Sequence, residues 1–116
     1  MFLDELKDIL LPMGMYVDTR AVANGNEYFF ELPAPWTGLN FFFLRYNEPE
    51  GFCELYPQYK NINYYKYRFT DEKIESLLEE IKKDSITFKE GYEKRYKRYK
   101  KSLVEQMKKN INEDFV

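Results

Sequence analysis

Three glutamates, Glu48, Glu50 and Glu54, crowd the stretch "NEPEGFCE". Carboxylates gathered at a sharp reversal of the chain can hold a hard cation or work as an acid/base pair. The competing reading is a solvated turn beside a strand, where acids ordinarily sit, and the spacing follows no known cation-loop template. Cys53, alternating with Glu54, is either a small core side chain or a reactive thiol. The chain holds no histidine and one cysteine, so a Ser-His-Asp triad, a Cys-His pair and a thiolate zinc cluster are excluded. Its glycines, Gly14, Gly25, Gly38, Gly51 and Gly91, are too dispersed for a phosphate-cradling loop. No catalytic residue, metal or cofactor is expected, and a carboxylate-based enzyme is the least favoured reading.

The second feature is "YEKRYKRYKK", residues 92 to 101. Residues 94 to 101 carry six cations, Lys94, Arg95, Lys97, Arg98, Lys100 and Lys101, and no acid. At about 100° per residue, Phe88, Tyr92, Tyr96, Tyr99 and Leu103 share one stripe, while Lys94, Lys97, Arg98, Lys101, Lys108 and Lys109 lie opposite. The tyrosines are therefore expected to pack, leaving a basic face that is either solvated or turned to an anionic partner. Like charges at Lys94/Arg98 and Lys97/Lys101 cost a little helix stability, which suggests a use.

The third is an aromatic strand. In "FFFLRY", strict alternation places Phe42, Leu44 and Tyr46 on one face and Phe41, Phe43 and Arg45 on the other. Both faces would then be aromatic. Either helices cover both, the first two on one face and the last on the other, or one face is open to a partner, with Arg45, Lys66 and Arg68 beside it for stacking and phosphate contact. Trp36, in the proline-containing loop "PAPWTG", is a further candidate contact or a lid over the edge of the core.

Helical spacing of Phe2, Leu6, Ile9, Leu10 and Met13, stopped by Pro12 and Gly14, predicts a helix over about 2–12. Two extended segments flank Asn24-Gly25, the dipeptide suited to a two-residue hairpin turn. "LNFFFLRYN", "FCELY" and "YYKYRF" supply three more strands. Thr70 has the character of an N-cap before "DEKIESLLEEIKK", and "TFKE", Thr87 to Glu90, has capping-box spacing and predicts a separate helix from about 88 to about 109. The tail from about 110 to 116 is expected to fray. The expected fold is one α+β domain over 1–116: a five-stranded antiparallel meander with an N-terminal helix and two C-terminal helices packed on it.

The 116 residues are 44% hydrophobic and 19% aromatic, enough for one core. The net charge of −2 conceals an asymmetry: residues 1–88 hold nine Lys or Arg against fifteen Asp or Glu, and residues 89–116 nine against five. No apolar run reaches the roughly 18 residues of a membrane span, the first residues are acidic where a secretory signal is basic, and the single cysteine suits a reducing compartment. A cytoplasmic protein without a membrane partner is expected. The chain carries no family motif; its size and Lys/Asn/Tyr/Phe-rich composition resemble those of small accessory or inhibitor proteins of phages and mobile elements. The residues point to a non-enzymatic interaction protein binding a protein or a second copy of itself, with nucleic acid as the alternative. Its binding residues would be Lys94, Arg95, Lys97, Arg98 and Lys101 on the basic helix, and Arg45, Lys66, Arg68 and Trp36 elsewhere.

Overall fold

A computed structural model describes residues 2–34, 39–55, 65–68 and 73–114, with backbone alone at 39, 40, 65–68 and 110–114. Trp36 and Thr70 lie outside the described residues, and of Lys66 and Arg68 only the backbone is placed. The order is α1 (Phe2–Leu10), a 3-10 turn (Leu11–Met13), β1 (Tyr16–Val22), β2 (Gly25–Ala34), β3 (Leu39–Asn47), β4 (Phe52–Leu55), β5 (Tyr65–Arg68) and α2 (Ile74–Asp114). The strands pair antiparallel in sequence order, the backbone of Tyr65–Arg68 lying along β4. The molecule is α+β, as the residue pattern implies.

α1 ends where expected: Gly14 takes a left-handed φ of 89° and its N–H donates to the Leu11 carbonyl. Lys89 of α2 reaches across to donate to the Met13 carbonyl at 2.7 Å, tying the end of the first helical segment to the last helix. The β1–β2 hairpin forms, but its turn is offset by one residue from expectation. Val22 pairs with Gly25, so Ala23 and Asn24 make the loop. Asn24 takes the left-handed φ of 69°, which its short polar side chain tolerates.

Two further expectations are corrected. The C-terminal region is one helix of 41 residues, without a break at residues 84–87 and helical as far as Asp114. The Thr87 hydroxyl, which suggested a restart, donates back along the helix to the Lys83 carbonyl at 3.3 Å, and Ser85 Oγ likewise donates to the Lys82 carbonyl at 2.7 Å. Back-bonding of this kind uses the hydroxyl within a helix, where a cap would use it to start one.

The second correction concerns β3. Phe30 of β2 pairs with Leu44 and Glu31 pairs with Phe42, so Phe43 is an extra residue in a β-bulge. An extra residue switches the alternation. Phe41, Phe43, Leu44 and Tyr46 are all buried. Phe41 and Phe43 meet Phe88 of α2 at ring distances of 6.1 and 4.9 Å, and Tyr46 meets Phe2 of α1 at 5.1 Å. Both helices thus cover the same sheet face. Phe42, expected beside Leu44 and Tyr46, sits instead against Phe29 on the other face, at 5.6 Å.

Leu6 and Leu10 of α1, Phe30, Leu32, Phe43, Leu44 and Leu55 of the sheet, and Ile81 and Phe88 of α2 form the center of a single core. Burying side chains of this size contributes about 1.5–3 kcal/mol each before entropy is counted. The core does not account for the whole molecule. The radius of gyration is 17.9 Å and the extents are 67 × 28 × 24 Å, where a compact chain of this length would have a radius near 13 Å. The excess comes from α2, whose 41 residues span roughly 60 Å at 1.5 Å per residue.

Candidate functional site

The packed part of α2 runs from Leu77 through Ile81, Ser85 and Phe88 to Tyr92, all buried. Tyr92 closes it: its ring lies 6.3 Å from Phe41 and 5.9 Å from Tyr96, and burial, with Tyr96 and Tyr16 nearby, raises its hydroxyl pKa. Tyr96 and Tyr99 are half-buried, their rings 6.4 Å apart. From residue 101 to residue 109 every side chain is exposed.

Leu103, expected in the packed stripe, is corrected to a surface position, 40% exposed; Val104 is 50% and Met107 62% exposed. The stripe itself is real. By the helical period Leu103 and Met107 lie on the same side as Phe88 and Tyr92. What ends is the sheet beneath them, so an amphipathic face built like the core-facing turns continues into solvent without a layer to cover it among the described residues.

Arg95 and Lys100 border that face, while Lys94, Lys97, Arg98 and Lys101 lie toward the other side of α2. Lys94, Lys97, Arg98, Lys100 and Lys101 are exposed. Arg95 is half-buried and places its guanidinium 5.1 Å from the centroid of the Phe41 ring, and Lys100 places its ammonium 4.6 Å from that of Tyr96. These two stems fold onto aromatic rings as amphipathic side chains do. Beside Gly91, which has no side chain to fill the space, a shallow recess of about 290 Å³ is lined by Thr87, Glu90, Lys94, Arg95 and Arg98. The structure therefore brings Lys94, Arg95 and Arg98 to one recess and leaves Lys97 and Lys101 along the projecting turns.

Arg45 belongs to a different surface. On the sheet face opposite the helices its Nε lies 3.7 Å from a carboxylate oxygen of Glu27 and 3.7 Å from one of Glu54, and its guanidinium sits 5.1 Å from the Phe52 ring. Two carboxylates flank its charge. Phe29 and Phe42 continue this face, with Arg20 placed 4.5 Å over Phe29.

The glutamates of "NEPEGFCE" do not converge. Glu48 and Glu50 are exposed on a turn, where the Glu50 N–H donates to Asn47 Oδ1 at 3.0 Å and the Gly51 N–H to the Asn47 carbonyl at 2.8 Å. Glu54 is buried beside Arg45. Among the described residues no three acids, cysteines or histidines gather as metal ligands. Cys53 is fully buried and burial raises its thiol pKa, so it stands as a core side chain. Tyr46 is also buried; its hydroxyl is pushed up to about 12 by burial first, then by Glu48, Cys53 and Tyr28.

Reasoning from the sequence did not identify Lys89 as the tie to Met13, nor Leu103, Val104 and Met107 as an exposed group. For Leu103 and Met107 there was a signal: the apolar stripe runs on past Tyr99, longer than the short strands before it could cover. No described helix is long and apolar enough to cross a membrane. No protein-family model matches the chain, and neither a curated protein nor a solved structure matches it.

Proposed function

We propose that the chain is a non-enzymatic, cytoplasmic interaction protein, of the accessory or inhibitor kind, that engages a macromolecular partner through the projecting part of α2. One observation carries this reading. Leu103, Val104 and Met107 are 40–62% exposed on turns that also carry exposed Lys97, Lys101, Lys108 and Lys109. Leaving three large apolar side chains together in water gives up burial worth on the order of 25 cal/mol per Å², a loss that a partner would recover.

The test is affinity capture from source-cell extract at about 50 and 300 mM salt with wild type and with Leu103→Glu/Met107→Glu. A discrete partner held by wild type and lost by the double variant is the expected result. Identical recovery with both proteins refutes the reading. Nucleic acid is the second reading, supported by the exposed row Lys94, Lys97, Arg98 and Lys101. It requires a mobility shift that weakens steeply with salt, since phosphate binding releases counterions.

A further inference from the structure

We infer that the chain pairs with a second copy of itself through the free edge of β1, an interface that uses none of the α2 surface considered above. β1 ends the sheet, with β2 on one side and no strand on the other among the described residues. Edges of this kind are usually blunted by brevity, proline, lysine or a bulge. β1 has none of these: it is seven residues long, YVDTRAV, and runs against β2 without a register shift. β5, at the other end of the described sheet, is four residues long and carries Lys66 and Arg68, so any self-pairing that opposes its charged residues opposes cations.

Backbone and charge select the same register. Val22 and Gly25 flank a two-residue loop and therefore exchange both of their hydrogen bonds. By alternation Arg20, Asp18 and Tyr16 also bond to β2, while Val17, Thr19 and Ala21 direct their N–H and C=O groups away from it. Thr19 and Ala21 are exposed. Only an antiparallel pairing centered on Thr19 uses all three residues of both copies, Val17 with Ala21 and Thr19 with its own equivalent, for about six hydrogen bonds between chains. That pairing also opposes Asp18 to Arg20 twice, at the positions between the bonded pairs where side chains approach most closely. Centering on Asp18 or on Arg20 instead opposes like charges. Within one chain Arg20 Nε and Asp18 Oδ2 lie 3.5 Å apart, with side chains 55% and 47% exposed, so the pairing builds a ring of four charges of alternating sign. The two-fold axis passes through the Thr19 pair perpendicular to the sheet, so the contact is isologous and the two sheets become one.

Sedimentation velocity on the full chain, from about 1 to about 500 µM, reads the association. Wild type is expected to pass reversibly from monomer to dimer. Asp18→Arg and Arg20→Asp should each weaken the dimer at least about tenfold by opposing like charges. An equimolar mixture of these two variants should form a heterodimer of wild-type affinity, because each chain then meets the opposite sign. Thr19→Pro should abolish the dimer by removing a donor at the two-fold axis, whereas proline at an edge position whose N–H faces solvent leaves the monomer folded. Circular dichroism melts check folding; if Thr19→Pro does not fold, the charge variants, which change surface side chains, decide alone. A wild type that stays monomeric throughout overturns the inference, as does a dimer that tolerates both charge reversals or a mixture that does not associate. A dimer lost by Leu103→Ser/Met107→Ser and kept by Asp18→Arg overturns it in favor of a contact through α2. The capture experiment above uses different variants, so the two readings fail separately.

Discussion

Phe88 and Leu103 lie on one stripe of one helix, and truncating them should have opposite consequences. Phe88 is 0% exposed, with its ring against Phe41 and Phe43. Phe88→Ala removes most of a buried ring, and the sheet beneath it is held by ladder bonds and cannot collapse into the space. The cost should be about 3–5 kcal/mol. That is a large share of the roughly 5–15 kcal/mol that a domain of this size has in total, and it should lower Tm by more than about 10 °C. Leu103 is 40% exposed, and alanine is at least as good a helix former, so Leu103→Ala should change stability by less than about 0.5 kcal/mol. Urea titration followed by far-UV circular dichroism and by fluorescence measures both, with the slope m checked for constancy. A Leu103→Ala loss above about 1.5 kcal/mol would show that the stripe is packed along its length. A Phe88→Ala loss below about 1 kcal/mol would remove α2 from the core.

Thr87→Ala should alter stability by under about 0.5 kcal/mol, because Thr87 bonds back to Lys83 within the helix; loss of a true N-cap would cost roughly 0.5–2 kcal/mol, so a urea midpoint shift of that size would restore the broken-helix reading. Tyr46 has its hydroxyl pKa raised to about 12 in the folded chain against roughly 10 unfolded. Its stabilising contribution is therefore complete below pH 10 and lost as pH rises through 12. Melts between pH 9 and 11.5 should show a decline that Tyr46→Phe makes shallower, and an unchanged slope in that variant would refute the assignment. Cys53, buried with a raised thiol pKa, should resist a disulfide reagent at pH 8 and react at once in denaturant; rapid labelling of the native chain would contradict its place in the core.

Much of the architecture is present in residue order alone. Helix α1 follows from Leu6 and Leu10 at helical spacing with Gly14 to stop it, and the antiparallel sheet follows from short strands joined by short turns, because these are local choices made within a few residues. The separation of tyrosine and cation along residues 92–101 is likewise a consequence of the helical period. Three things needed the tertiary structure. The bulge at Phe43 put Phe41, Phe43 and Leu44 on one face, since a one-residue slip switches faces and only a neighboring strand can register it. The continuity of α2 through Ser85 and Thr87 was decided by where two hydroxyls found acceptors, and "TFKE" reads equally well as a cap or as four helical residues. The exposure of Leu103 and Met107 was decided by the reach of the sheet. A stripe states which side of a helix is apolar; only the packed neighbor determines how far along that side there is anything to meet.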